Sequence, residues 1–234
     1  MNGYRRRVKI DPQPGKVSAW VEDDFHHFGV EIEHDGDTVT RIATHAPRFP
    51  WTTCPAAGEL LAQRFQGRRL ATIAAGEDQR QHCTHQYDIA IAAARHALDD
   101  SPTVLDISVA DDEGRGALAE LSVNGEPTLR WFFANSPREG DPQSGDMAAF
   151  LEWTRGLPDA LREAGMMFRR GAMVSGGRRL DLERYRTVSE VGSPGACYSL
   201  QPERALQSKR VLGAIREFWD SPNALLAETN AQAD

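Results

Sequence analysis

The sequence predicts an α+β fold in which an antiparallel sheet carries helices on one side. Short runs of alternating apolar and polar residues occur in both halves of the chain, and segments with helical spacing lie between or after them. The chain has 234 residues, 40% of them hydrophobic, which is enough to bury a core without disulfide or metal support. One globular unit over residues 1–234 is therefore expected.

The first predicted element is a β-hairpin. The segment 17–44 is strand-like, because Val30 and Ile32 alternate with charged residues and a second apolar run follows. The dipeptide Asp35-Gly36 between the two runs is a typical hairpin turn. An antiparallel pair is thus expected in the first hundred residues.

Two helices are predicted after the hairpin. The first begins near Cys54, with Pro55 in its first turn, and ends at Gly67. The second begins near Thr84, continues with apolar residues at helical spacing and ends before Pro102. Cys54 and Cys83 thus fall at predicted helix N-termini.

The second half is predicted to contain a β-meander followed by helices. The strands are expected at 104–110, 117–123 and 128–134, and the helices at 147–155, 157–168 and 201–219. We accordingly divide the unit into an α+β half at 1–102, a meander and helices at 103–222 and a frayed tail at 223–234.

Charge and composition exclude several classes of protein. The net charge of −7 and the scattered basic residues argue against binding to nucleic acid or to an anionic membrane. No apolar run is long enough for a membrane-spanning helix, and no signal peptide is recognisable. Three widely spaced cysteines are typical of thiols or ligands rather than a disulfide framework. We expect a cytoplasmic protein.

The residues suited to chemistry are concentrated in the first hundred positions. All seven histidines lie between His26 and His96, together with two of the three cysteines. The sequence contains no Gly-rich phosphate loop, no Gly-x-Ser-x-Gly elbow and no His-Glu-x-x-His motif. Nucleotide hydrolysis, serine-hydrolase and zincin activities therefore have no support.

Cys54 and Cys83 have two interpretations. At a helix N-terminus the dipole lowers the pKa of a thiol, which favours a nucleophile or a metal ligand. Alternatively, each cysteine is simply a small buried residue where a helix meets the sheet. A second thiol in the same setting favours the ligand interpretation.

The segment around His26 also has alternatives. On an extended chain, Asp24 and His26 share one face, and His27 lies on the other. They could form an acid/base pair, two metal ligands or a solvated strand end. His85 and Asp88 are spaced to share a helical face, where a carboxylate could orient the imidazole, but a pair of solvated surface residues explains the spacing equally well.

Three segments carry a resemblance to a known family. VEDDFHHF at 21–28, PWTTCP at 50–55 and CTHQYD at 83–88 resemble motifs of a bacterial family of unknown function. The resemblance covers most of the chain. It implies a setting in the catabolism of lignin-derived aromatic compounds, where cofactor-free carbon–carbon lyases that release formaldehyde occur.

The first half is also similar to the scaffold proteins of iron–sulfur cluster assembly. Their pattern is a Cys-x-Asp motif entering a hairpin, followed by a Cys opening each of two helices. Matching the hairpin turns gives the ligand set Asp24, His26, Cys54 and Cys83. This set suits a tetrahedral zinc-like ion better than a cluster, and no organic cofactor is expected.

Three functions follow as hypotheses. The first is a lyase of the retro-aldol type acting on a small aromatic molecule, in which protein groups or a metal move the protons. Its candidate catalytic residues are Asp24, His26, His27, His85 and Tyr87, and its candidate aromatic walls are Trp51, Trp131 and Phe133. The second is a non-enzymatic metal-binding or metallochaperone-like module. The third is an anion-binding patch of Arg169, Arg170, Arg178 and Arg179. Formation of a homo-oligomer is compatible with each of these three functions.

Overall fold

The computed structural model describes residues 2–114, 116–136, 138–192 and 194–230. Eight strands form one sheet of order β4-β3-β2-β1-β5-β6-β7-β8. The strands are β1 (Gly3–Gln13), β2 (Lys16–Asp23), β3 (His27–His34), β4 (Val39–Arg48), β5 (Thr103–Ala110), β6 (Ala117–Val123), β7 (Glu126–Phe133) and β8 (Ser144–Gly145). The pairs β2–β3, β3–β4, β5–β6 and β6–β7 are antiparallel, and β7–β8 is parallel. The α+β class is confirmed.

Six α-helices accompany the sheet in the described part of the chain. They are α1 (Cys54–Phe65), α2 (Thr84–His96), α3 (Met147–Arg155), α4 (Arg162–Ser175), α5 (Pro202–Ala205) and α6 (Ala227–Asn230). None of the described helices has both the length and the apolar character needed to cross a membrane.

The chain divides into two compact units that are each built from separate segments. We call Val8–Thr103 with Asp181–Arg216 the histidine unit, and Met1–Arg7 with Val104–Leu180 and Glu217–Asp234 the meander unit. Strand β1 contributes residues to both. Segments from the C-terminal third of the sequence thus complete each unit. Local sequence patterns do not predict this arrangement.

In the histidine unit, α1 packs on β4 and α2 packs on β2 and β3. Phe28, Val30 and Ile32 of β3 are fully buried on the face toward the helices, as their alternation predicts. Helix α2 is buried on nearly all sides because its alanines allow close approach. Both predicted helices and the hairpin are confirmed, and Gly67 ends α1 with a φ of +79°.

In the meander unit, α3 and α4 pack on the sheet. The strands β5 to β7 form the predicted meander, with Leu105, Ile107 and Leu121 among its buried residues. Ile107 contacts α4 at Gly171, where an added Cβ would lie 2.8 Å from Cγ2 of Ile107. This glycine lets the helix backbone approach the sheet closely.

Strand β1 was not predicted. Tyr4, Arg6, Val8 and Ile10 are buried and alternate with partly exposed basic residues. Because Arg6 lies on the buried face with them, the run reads as a basic N-terminus rather than a strand. Tyr4, Val8 and Ile10 nevertheless all fall on even positions, and this alternation is typical of a strand.

Two predicted C-terminal helices are wrong in position or extent. Instead of 157–168, helix α4 covers Arg162–Ser175, because Pro158 and a 3₁₀ turn precede it. Instead of 201–219, only Pro202–Ala205 is α-helical. Lys209 and Arg210 form isolated β-bridges with Thr187 and Trp51. These extended contacts replace the expected helix.

The predicted frayed tail has structure where it is described. Leu225 and Leu226 are 2% and 1% exposed, and helix α6 follows them. The last part of that predicted tail, 231–234, lies outside the described residues.

Candidate metal centre

A tight turn joins β2 to β3 and brings Asp23 against His26. The backbone N–H of Asp23 donates to the carbonyl of His26 at 2.9 Å, which closes the turn. Oδ1 of Asp23 accepts the N–H groups of Phe25 and His26, each at 2.8 Å. The same oxygen lies 3.0 Å from Nδ1 of His26. One carboxylate therefore fixes both the turn and the imidazole.

Arg48 of β4 holds this turn from the side. Its guanidinium donates to the carbonyl oxygens of Asp23, Asp24 and His26 at 2.6, 3.1 and 3.1 Å. It also donates to Oε1 of Glu22 at 3.1 Å, and the Arg48 side chain is only 11% exposed. The five N–H donors of an arginine suit such a set of converging acceptors. The position of His26 thus depends on Arg48.

Helix α2 supplies the third side chain. His85 lies in its first turn, and its ring stacks on that of His26 with centroids 3.9 Å apart. Phe28 lies near both rings, at 5.8 Å from His26 and 5.9 Å from His85. The contact of α2 with β3 thereby places a helix histidine beside a turn histidine.

Asp23, His26 and His85 each offer a ligand atom, and these atoms all lie within 4.8 Å of one another. Asp23 is fully buried, His85 is 7% exposed, and the His26 side chain is 13% exposed. A buried carboxylate needs a positive or hydrogen-bonding partner, since its desolvation is costly. The three side chains form the single group of three or more potential ligands found among the described residues.

The predicted ligand set differs from this group by more than one residue. We expected Asp24 beside His26 on an extended strand, but the chain turns at Asp24 and Phe25, so Asp23 faces His26 instead. Asp24 is fully buried, and its carbonyl accepts from Arg48 and from the N–H of Arg216. Of the predicted set, His26 alone belongs to the group of converging ligands.

The cysteines lie at the helix N-termini as predicted. Cys54 is the first residue of α1, Cys83 is the N-cap of α2, and both are buried. The expectation of a lowered thiol pKa is wrong for both. Burial raises the pKa of the Cys54 thiol to about 12, and the hydrogen bond with Ser199 offsets part of that rise. Burial likewise raises the pKa of Cys83. Desolvation outweighs the helix dipole here.

We expect the thiols to differ in reactivity because their exposure differs. Cys54 and Cys83 are 7% and 6% exposed, whereas Cys197 is partly exposed. One thiol per chain should react with Ellman's reagent in the native protein and three after denaturation. Cys197→Ser should remove the native reaction. Rapid labelling of Cys54 in the native protein would contradict this prediction.

His27 and Tyr87 lie in other surroundings. His27 is on the opposite face of β3 from Phe28, with Nδ1 3.6 Å from Oε1 of Glu22. Tyr87 packs against Phe65 and His82 at centroid distances of 5.8 and 5.2 Å. Neither belongs to the group of converging ligands.

A second buried histidine is paired with a carboxylate near Tyr87. His82 is fully buried, and its Nε2 lies 2.9 Å from Oε2 of Glu77. Burial raises the pKa of Glu77, but His82 and the guanidinium groups of Arg64 and Arg68 together bring it below its usual value. This cluster connects the start of α2 to the end of α1.

The three predicted aromatic walls are packed against protein groups. Trp51 is 8% exposed and lies beneath the guanidinium of Arg210 at 5.5 Å. In the meander unit, Trp131 and Phe133 pack on Phe150 at centroid distances of 5.6 and 5.1 Å. Trp51 and Trp131 therefore belong to the buried core, whereas Phe133 is half-buried beside it.

The predicted arginine patch contains a paired member. Arg178 donates to both carboxylate oxygens of Asp111 at 2.9 and 3.0 Å and lies 3.7 Å from Glu217. Its charge is therefore already balanced by acidic neighbours.

Three residues in these surroundings were not predicted from the sequence, namely Asp23, Arg48 and Cys197. The motif VEDDFHHF contains Asp23 next to Asp24, but choosing the one that faces His26 requires the position of the turn. Arg48 lies 22 residues from His26, so its contacts with the turn come from tertiary structure. Cys197 belongs to a C-terminal segment in which Ser199 contacts Cys54 at 3.6 Å.

Compared with protein-family models and with curated proteins, the sequence has no match. The resemblances to a bacterial family and to cluster-assembly scaffolds therefore stay predictions.

Proposed function

We propose that the protein binds a divalent transition-metal ion through Asp23, His26 and His85. The observation that carries this proposal is the convergence of one carboxylate and two imidazoles within 4.8 Å in a largely buried place. Carboxylate and imidazole are ordinary ligands of zinc and of neighbouring transition metals. We take a zinc-like ion as the first candidate.

The support around the three ligands fits a metal site. Ligands bind well when surrounding groups fix their orientation. Asp23 is held by two backbone N–H groups, and the turn that carries His26 is held by Arg48. Helix α2 fixes His85. The site therefore needs little rearrangement on binding, which lowers the entropic cost.

Three protein ligands leave one position of a tetrahedral ion open to water or substrate. This arrangement is typical of catalytic zinc sites, whereas structural sites have four protein ligands. The low exposure of Asp23 and His85 limits the size of any molecule that reaches the ion. A metal-binding function thus has stronger support than turnover of a large substrate.

Calorimetric titration of chelator-treated protein with zinc tests the proposal. We expect one site per chain, and His26→Ala or His85→Ala should weaken binding by at least about 100-fold, since each removes a direct ligand. His96→Ala is the matched control, because His96 is paired with Asp99 at 2.6 Å outside the group. A Cys54→Ser, Cys83→Ser double variant should retain the affinity of the unmodified chain.

Loss of zinc binding in the cysteine variant, with binding retained in His85→Ala, would contradict the proposed ligands. It would favour the set predicted from the scaffold resemblance. Absence of zinc, cobalt, nickel, manganese and ferrous-iron binding would reject the metal site altogether.

A second candidate is the formaldehyde-releasing lyase on an aromatic compound. The observation that favours it is the 3.0 Å contact between Asp23 and Nδ1 of His26, since a carboxylate in this position orients a general base. His26 would then take the substrate hydroxyl proton as the carbon–carbon bond breaks and formaldehyde leaves, and the resulting imidazolium would return that proton to the carbanion that remains. Formaldehyde release that persists in His26→Ala would reject this role.

A further inference from the structure

A separate feature of the meander unit is a cavity of about 490 Å³ on the sheet. Its lining includes Arg5 of β1, Ser108 of β5, Glu120 and Ser122 of β6, and Thr128 of β7. The volume falls in the range of small-molecule sites, roughly 300–1,000 Å³. The lining is rich in hydroxyl and charged groups, so the cavity suits a polar ligand.

The strand register explains why these groups converge. Ser108 pairs with Glu120 and Glu120 pairs with Arg130, so the three residues form a row across β5, β6 and β7. Side chains in such a row point to the same face of the sheet. The alternate residues of β5, Ile107 and Val109, are buried on the other face.

Arg5 is the feature that points to a ligand. It has no carboxylate partner among the described residues, and its Nε is buried without a hydrogen-bond partner. Its guanidinium lies 4.6 Å from the ring centroid of Trp219. Trp219 in turn lies over Gly3, where an added Cβ would be 2.5 Å from the ring. Stacking thus holds the cation in place, and no described residue accepts a hydrogen bond from its terminal N–H groups, which can therefore serve a ligand.

The other strong charges at the cavity are largely balanced. Asp106 accepts two hydrogen bonds from Arg7, at 2.7 and 3.1 Å. Arg130 donates to both carboxylate oxygens of Asp141 at 3.1 Å. Arg5 is therefore the cation at this cavity whose charge no described carboxylate balances. Glu120 likewise has no ion-pair partner within the described ranges.

We propose that this cavity binds a small polyhydroxylated carboxylate of the sugar-acid class. The carboxylate binds the guanidinium of Arg5, whose planar fork matches it. The ligand hydroxyls meet the hydroxyl groups of Ser108, Ser122 and Thr128, and Glu120 accepts from one of them. An arginine for the acid and a row of hydroxyls for the polyol together define this class.

The test is a calorimetric titration of the full chain with D-gluconate and D-glucuronate in excess EDTA, which removes any contribution of a metal site. D-glucose and inorganic phosphate serve as probes for the polyol alone and the anion alone. We expect at least one sugar acid to bind, and both control probes to bind at least about tenfold more weakly, because each lacks one group of contacts.

Arg5→Gln should weaken sugar-acid binding by at least about tenfold, as expected for loss of a charge-assisted contact. Arg155→Gln is the control, since Arg155 is an exposed residue of α3 paired with Glu152. If Arg5→Gln does not fold, Glu120→Gln and Ser108→Val test the same site through the polyol contacts. Unchanged affinity in the folded variants, phosphate binding as tight as the sugar acids, or no sugar-acid binding would overturn the proposal.

Discussion

Arg48→Met is expected to lower the free energy of unfolding by about 3–5 kcal/mol, because it leaves several buried acceptors without their donor. The lost partners include Glu22 and the carbonyl oxygens of Asp23 and His26. Methionine keeps much of the apolar volume of the side chain, so the change isolates the hydrogen bonds. Urea denaturation followed by circular dichroism measures the effect.

Arg41→Met is the matched control on the same strand. Arg41 pairs with Glu33 at 2.9 Å, but its side chain is 68% exposed. Exposed ion pairs contribute at most about 1 kcal/mol. A similar loss in both variants would show that Arg48 does not hold the turn. The Arg48 variant should also bind zinc more weakly, since the position of His26 depends on that turn.

Gly58→Ala is expected to destabilise the histidine unit by about 1–3 kcal/mol through overpacking. Gly58 of α1 faces Thr44 of β4 and Gln86 of α2, and an added Cβ would lie 2.9 Å from Nε2 of Gln86 and closer still to Oγ1 of Thr44. Thr44 lies in a strand and Gln86 lies in a helix, so neither residue can move away without disturbing its element. Thermal and urea denaturation of the variant should report the loss.

Gly176→Ala provides the control for this prediction. Gly176 follows α4 with a φ of −57°, and an added Cβ would meet nothing within 4 Å. Alanine there should be neutral or stabilising by up to about 1 kcal/mol, because it restricts the unfolded chain. Equal stability of Gly58→Ala and the unmodified chain would mean that α1 does not pack closely at this position.

Local patterns predicted the elements that carry their own signals. The hairpin turn at Asp35-Gly36, the helix starts at Cys54 and Thr84 and the meander strands all depend on residues near in sequence. The structure of the C-terminal segment, in contrast, does not depend mainly on residues near in sequence. The residues between 201 and 219 have helical spacing, but Arg210 and Lys209 instead form β-bridges with Trp51 and Thr187. These bridges are tertiary contacts.

The candidate site shows how a small error in register changes a ligand set. Extended geometry placed Asp24 with His26, but a turn at Asp24 and Phe25 places Asp23 there instead. A shift of one residue reverses the face on which a side chain lies. His26 and His85 could be named from sequence, whereas their stacking requires the packing of α2 on β3.

The cysteines illustrate the competition between local and tertiary effects. Position at a helix N-terminus alone favours a thiolate, and the sequence reveals that position correctly. Burial has the opposite effect. At Cys54 it outweighs the helix dipole and raises the pKa to about 12. Only the folded surroundings, including Ser199 from the C-terminal segment, determine which effect dominates.

Anomalous diffraction at the zinc absorption edge, from crystals of the protein grown with zinc, would locate a bound metal ion directly. We predict a peak about 2.0–2.2 Å from ligand atoms of Asp23, His26 and His85. A peak at Cys54 and Cys83, or no peak near the two stacked histidines at full zinc saturation, would contradict it.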